Sequence, residues 1–222
     1  MSEISRRGAL GAGAAAAAAA GLAATGGIAA ASTPAGGAAS GAVPPANGGA
    51  SPFLFSLSKT APMTFDGGTL RGANKDTFPV LTEDQKGSVY LVHLDVGGIR
   101  EPHWHPSAWE LNYILSGTAK WTMLGTHGDG SYHNSAFTAK QGDLVFAPQG
   151  FFHYFENASK TQGLDVLVIF NTSVGEPSDD IGIVGTLNSL PRDVLAATFG
   201  VPESAFKAIP TKIEPVVITK RK

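Results

Sequence analysis

Gly97-Gly98-Ile99-Arg100-Glu101-Pro102-His103-Trp104-His105-Pro106-Ser107-Ala108-Trp109-Glu110 is the stretch whose reading decides the fold. Side chains alternate along a strand, so His103 and His105 face one way and Trp104 the other. The short Pro106-Ser107 turn lets Glu110 return to that face from a neighbouring strand. A second cluster, Gly142-Asp143 followed by Pro148-Gln149-Gly150-Phe151-Phe152-His153, reads as turn, strand, Pro-Gly turn and histidine. A third imidazole from so distant a strand meets the first two only where the sheet folds back on itself, as in a β-barrel. A lone histidine ordinarily reads as a surface residue or a satisfied core residue. Four ligand-type residues at ordered turn-strand spacings read instead as a metal site made of His103, His105, Glu110 and His153. Three neutral imidazoles and one carboxylate leave a divalent ion with residual positive charge and open coordination positions. A mixed nitrogen and oxygen set without thiolate suits Mn, Fe, Co, Ni, Cu or Zn, and the open positions favour catalytic work.

Outward from these clusters, the chain from Ser51 runs as short strands broken by turn residues. Strands are expected at 53–57, 89–94, 111–115, 119–124, 135–139, 144–147 and 164–170. Gly67-Gly68 and Gly72 to Asp76 are expected turns. Strands recurring every 8–12 residues or so argue for a sandwich or closed barrel, and closure removes exposed edges. The C-terminal part changes character. Pro191 to Phe199 predicts a helix with proline in its first turn and Gly200 as its stop. Ile181 to Leu187 and Glu203 to Ala208 are weaker helix candidates. The expected fold is mostly β, a single barrel with C-terminal helices, over residues 52–222.

The chain has 222 residues, a formal net charge of -2 and no cysteine. The charge offers no basic surface for nucleic acid, and the missing cysteine excludes disulfides, thiolate ligands and cysteine nucleophiles. Arg6-Arg7 followed by a run of Ala and Gly reads as an export signal over residues 1–31. The paired arginines and weak hydrophobicity favour the twin-arginine route, although Ala9 stands where that signal usually carries a large apolar residue. Ala and Gly give too little transfer energy for a stable membrane anchor, so the expected destination is secreted or periplasmic. Residues 32–51, rich in Ala, Gly, Pro and Ser, read as a flexible linker.

Gly97, His103, His105, Glu110 and Gly117 match the first cupin motif, G-x5-HxH-x4-E-x6-G. Gly142, Pro148, Gly150, His153 and Asn157 match the second, G-x5-PxG-x2-H-x3-N. The chain therefore resembles the cupin superfamily, a double-stranded β-helix or jelly-roll barrel. More narrowly, Gly98-Ile99-Arg100-Glu101-Pro102-His103-Trp104-His105, with Gly97 before it, is similar to the G-x-x-R-E-x-H-W-H of the oxalate decarboxylase family, and the likeness runs from about Phe53 to Pro210. That family usually carries two barrels in tandem.

The resemblance implies Mn(II) at the site, oxalate or a related small carboxylate as ligand, and dioxygen as co-oxidant. It implies that Arg100 holds the substrate carboxylate, the plain alternative being a surface arginine paired with Glu101. It implies a lid acid after the last barrel strand, where this chain has Val174-Gly175-Glu176-Pro177-Ser178-Asp179-Asp180 in place of the family's Ser-Glu-Asn-Ser. The family glutamate's place falls on Pro177, leaving Glu176 as the nearest acid, with Ser178, Asp179 and Asp180 as further lid residues; a solvated acidic turn is the alternative. Asn157 and His93 are candidates for the shell behind the ligands, His93 reading equally as a barrel-lining histidine. His127 and His133 flank a hairpin tip and read as solvated. The expected activity is decarboxylation of oxalate to formate and carbon dioxide. The alternatives are an oxidase giving carbon dioxide and peroxide, or a non-catalytic metal or carboxylate binder. One barrel in place of two implies a homo-oligomer.

Overall fold

The computed structural model describes residues 51–222 apart from 83, 127 and 128. The expected export signal, the linker up to residue 50 and His127 lie outside the described residues. The first sheet joins β1 (Met63–Phe65), β2 (Gly68–Ala73), β3 (Ser88–Leu94), β10 (Leu164–Phe170), β5 (Glu110–Ser116) and β8 (Leu144–Ala147) in that order. The second joins β11 (Ile181–Gly182), β4 (Gly98–Trp104), β9 (Phe152–Asn157), β6 (Thr118–Thr126) and β7 (Tyr132–Lys140), with β12 (Ile218–Lys220) also on β4. The described pairings are antiparallel. This is a jelly roll whose hydrogen bonds are divided between two sheets.

One core lies between them. β3 turns Ser88, Tyr90, Val92 and Leu94 inward, and β10 turns Leu164, Val166, Val168 and Phe170 inward beside them. Trp121, Phe155 and Ile218 of the second sheet meet Leu70, Ile114 and Val166 of the first in the same cluster. Each such side chain contributes about 1.5–3 kcal/mol when fully buried. α1 (Ile183–Asn188) and α2 (Arg192–Phe199) follow the sheets. α2 ends at Gly200, whose φ of 67° is the left-handed stop expected there. Residues 203–206 form a 3-10 turn, not a longer helix. Among the described residues no helix is long and apolar enough to cross a membrane.

Two expectations fail for identifiable reasons. Residues 53–57 do not form a strand: the Leu54 N–H closes a turn onto the Ser51 carbonyl, and a 3-10 helix follows at Leu57–Lys59. Phe53 and Leu54 stay exposed, so β-propensity without a partner strand loses to local turn bonds. The expected turns are present at Asp66-Gly67 and Lys75-Asp76, but Gly68, Gly72 and Ala73 belong to the strand between them. Gly72 lies opposite Tyr90, where a Cβ would run into the Tyr90 ring. The glycine is there for close approach, and the turn begins only at Asn74, whose Oδ1 accepts the Asp76 N–H. Ile114 is fully buried in the core. Ile114→Ala is expected to lower unfolding free energy by about 2–5 kcal/mol, read by denaturant titration.

Candidate metal centre

β4 begins with Gly98 and reaches Pro102, which has no N–H to donate to a ladder. Its pairing with β9 runs Ile99↔Glu156 and Arg100↔Phe155, then slips before His103↔His153. By strict alternation Arg100 and His103, three residues apart, face opposite ways. The slip turns both inward, and each is only 1% exposed.

His103 and His153 therefore come from adjacent strands of the second sheet, His105 from the end of β4, and Glu110 from the first sheet. Their donor atoms lie within 4.8 Å of one another. Glu110 Oε2 stands 2.9 Å from His153 Nε2, 3.0 Å from His105 Nε2 and 3.9 Å from His103 Nε2. The opposite ring nitrogens fix the tautomers. Nδ1 of His103 donates to the Glu101 carbonyl at 2.6 Å, that of His105 to the Asp179 carbonyl at 2.8 Å, and that of His153 to the Phe151 carbonyl at 2.8 Å. A carbonyl only accepts, so each Nδ1 carries the hydrogen and each neutral ring aims an Nε2 lone pair at a carboxylate oxygen. Four electron-rich atoms facing each other out of water repel unless a cation lies between them. His105 Nε2 correspondingly lacks a hydrogen-bond partner. The donor set fits one divalent transition metal, with His103, His105, Glu110 and His153 as its holders.

The charges inside agree. Burial holds the His103 imidazolium well below its ordinary pKa, with Arg100 and the other two histidines repelling it further. Burial alone would push Glu110 up, but the positive charge that His153 can carry and the three ring nitrogens that face the carboxylate hold it well below the usual carboxylate range. Burial would lower His105, and the Glu110 carboxylate that it faces, with Glu176 nearby, raises it instead. Phe170 packs edge-on against His105 at 4.7 Å, and Trp121 stacks on His153 at 6.3 Å, closing the rings in apolar walls.

Segment 174–180 covers this cluster. The Glu176 carboxylate is buried and accepts Arg100 Nη2 at 3.0 Å, and Asp180 Oδ2 accepts the same nitrogen. Burial raises the Glu176 pKa, with Arg100 and His105 pulling it back. The Asp179 carbonyl holds His105, and its Oδ1 accepts the Ser107 N–H at 3.1 Å. Ser178 is exposed. This acidic segment is thus turned inward, and Arg100 pairs with its acids and not with Glu101. His105, Glu176 and Asp180 form a second group of metal-ligand type, but the Arg100 guanidinium already occupies the space between its carboxylates. A surface cavity of about 390 Å³, lined by Ser107 and Asn171 to Val174, opens beside the start of the segment.

Two expected neighbours lie elsewhere. His93 points outward from β3 and pairs through Nδ1 with Asp165 at 2.7 Å, where Ser116 also donates to Asp165. Odd residues of that strand lie on the outer face, which removes His93 from the shell behind the ligands. Asn157 sits four residues along β9 from His153, roughly 13 Å away on an extended strand. Its Nδ2 donates to the carbonyls of Leu94, Asp95 and Gln162, so it staples loops at the far end. His133 is exposed on its hairpin, as expected.

Tyr90 is a residue that sequence reasoning passed over. Its hydroxyl accepts the Glu176 N–H at 2.6 Å, and its ring meets Phe170 edge-on. The signal was a phenol on the inward parity of an otherwise apolar strand, which asks for a polar partner.

Residues 55–206 match the cupin family. A probable oxalate decarboxylase of Arthroderma benhamiae is 32% identical over 163 residues, covering 72% of this chain and 38% of that protein. Germin-like protein subfamily 2 member 2 of Arabidopsis thaliana is 33% identical over 155 residues, covering 67% of this chain and 66% of that protein. A solved structure of Bacillus subtilis oxalate decarboxylase, studied for its Mn(II) centres, aligns with a TM-score of 0.64 and 25% identity over 76% of this chain and 41% of that one. The chain thus spans about two fifths of the oxalate decarboxylases it resembles.

Chelation of the metal-loaded protein is expected to lower its melting temperature. A ligand at a thousand times its Kd stabilises by roughly 4 kcal/mol, all of which chelation removes. His153→Ala is expected to purify without stoichiometric metal by elemental analysis and to melt at one temperature with or without chelator.

Proposed function

This chain belongs to the cupin family, and from that premise we propose that it is an exported Mn(II)-dependent enzyme that decarboxylates oxalate to formate and carbon dioxide. The observation that carries the reading is a buried guanidinium and a buried carboxyl, Arg100 and Glu176, side by side next to the four-ligand cluster. A metal ion held by His103, His105, Glu110 and His153 would supply a Lewis-acid anchor for carboxylate and one-electron chemistry with dioxygen. The remaining work falls to the chain. Arg100, permanently charged, binds and orients a substrate carboxylate through paired N–H donors. Glu176, with its pKa raised by burial, takes the proton from the oxalate monoanion and returns it to carbon. Segment 174–180 excludes water while this happens. Oxalate monoanion becomes formate plus carbon dioxide with no net oxidant consumed, so the acid that re-protonates carbon separates this outcome from oxidation.

A second reading, an oxalate oxidase or a metal and carboxylate binder, draws on Pro177 within the covering turn, which stiffens the backbone beside Glu176. Assay of the metal-loaded protein for formate and peroxide together decides between them. Formate in yield equal to oxalate consumed is expected; stoichiometric peroxide without formate overturns the decarboxylase, and neither product overturns both enzymes. Glu176→Gln is expected to keep its metal and lose at least about a hundredfold in formate production, the usual worth of a positioned proton donor.

The export reading rests on Arg6-Arg7 and the Ala/Gly run that follows. Homo-oligomerisation is supported by apolar side chains turned to solvent: Tyr113, Leu115, Leu144 and Phe146 on the first sheet, with Val194 and Phe199 on α2. Patches of this kind mark interaction sites. Phe146→Glu is expected to shift the protein to smaller species in sedimentation without loss of bound metal.

A further inference from the structure

We propose that Asp180 is a built-in competitor for the ligand carboxylate at Arg100 and expels a monocarboxylate product from that position. The inference rests on the reading of Arg100 as a carboxylate anchor.

Arg100 is paired in an unusual way. Glu176 Oε1 and Asp180 Oδ2 both accept from Nη2, while Nη1 has no hydrogen-bond partner. Glu176 Oε2 and Asp180 Oδ1 are likewise buried without one. A guanidinium offers parallel N–H groups that match the two oxygens of a single carboxylate. Two carboxylates crowd one nitrogen here and leave the other arm idle. A ligand carboxylate that takes both arms improves on that arrangement, so the internal pairing is displaceable.

The two internal carboxylates are not equivalent. The Glu176 backbone is held by the Tyr90 hydroxyl, and its side chain points into the cluster. Asp180 lies between two backbone anchors. The Asp179 carbonyl accepts from His105, and Ile181 pairs with Trp104 on β4. Its side chain can therefore leave Arg100 by rotation about Cα–Cβ with the main chain in place. Two negative charges already exceed the one positive charge of Arg100, so a further anion on that side is favoured only if one departs. One carboxylate oxygen each of Glu176 and Asp180 and a ring nitrogen of His105 lie within 4.8 Å of one another. A carboxylate in Asp180's place therefore borders the His105 ring. A dicarboxylate holds there at both ends. Once carbon–carbon cleavage has converted oxalate monoanion to formate and carbon dioxide, one carboxylate remains, and it faces a tethered rival that needs no diffusion to return.

The test uses the full, metal-loaded chain and formate as the probe. Asp180→Asn keeps the shape and an acceptor oxygen but removes the charge. Calorimetric titration is expected to show the formate Kd falling by about tenfold or more, equivalent to roughly 1.4 kcal/mol of competition removed, with metal content unchanged and no tightening for neutral formamide. An unchanged or weaker formate Kd overturns the proposal. Should the variant not fold, infrared difference spectra of wild-type protein carrying ¹³C-labelled aspartate give the answer: formate binding is expected to shift an aspartate carboxylate band, and no shift overturns the proposal. Neither measurement needs turnover. A chain that binds formate in this way but leaves oxalate intact fails the proposed function and not this inference.

Discussion

The slip in register between Gly98–Trp104 and Phe152–Asn157 is the constraint on which the rest of the site depends. A strand ladder is periodic by two, and the site has inward side chains at Arg100 and His103, three residues apart. One irregularity at a proline resolves the conflict, because Pro102 has no N–H to lose from the ladder. It sets His103 directly opposite His153 and swings Arg100 into the same cell. Without it the guanidinium would face solvent, and Glu176 and Asp180 would be buried charges with no counter-ion, an arrangement that costs several kcal/mol.

From that one feature an electrostatic order follows. The ligand rings are oriented from behind by backbone carbonyls, which accept and never donate. Two of those carbonyls, of Glu101 and Phe151, belong to the sheet and its turn. The third, of Asp179, belongs to the covering segment. His105 is thereby tied to whatever that segment does, and movement of the segment withdraws the acceptor that orients a metal ligand. The same segment is held by Tyr90, Ser107 and Arg100. A chain with proline beside its acid thus fastens the covering turn at several points in place of a freely swinging loop.

Packing supplies the dry surroundings these charges need. Phe170 and Trp121 lie against the ligand rings, and Tyr90 carries the only polar end among the larger inward side chains of β3. Gly72 is small because the Tyr90 ring crosses it, and Gly182 because the Glu101 carboxylate lies over it. Core and site share residues, so the first sheet's packing also aligns the covering segment.

The cluster of His103, His105, Glu110 and His153 was legible in the chain itself. The spacing from Gly97 to Gly117 and from Gly142 to Asn157 combines period-two alternation with glycine and proline turns, and those rules act locally. The same local rules made the strands from Val89 onward and the helix stopped by Gly200 readable. They failed where the outcome hung on a partner elsewhere in the chain. Residues 53–57 had strand-forming side chains but no neighbour to pair with, and Gly68–Ala73 had turn-like glycines but a neighbour that wanted them small. His93 and Asn157 carry suitable chemistry, yet strand parity and distance along β9 turn them to other work. Spacing left Glu176 open between an inward acid and a solvated turn, because it acquires its direction only through the Tyr90 hydroxyl and the Arg100 guanidinium, 86 and 76 residues away. Alternation is a property of neighbouring residues and is written in the sequence; charge pairing across a core is a property of the closed fold, and only the tertiary structure decides it.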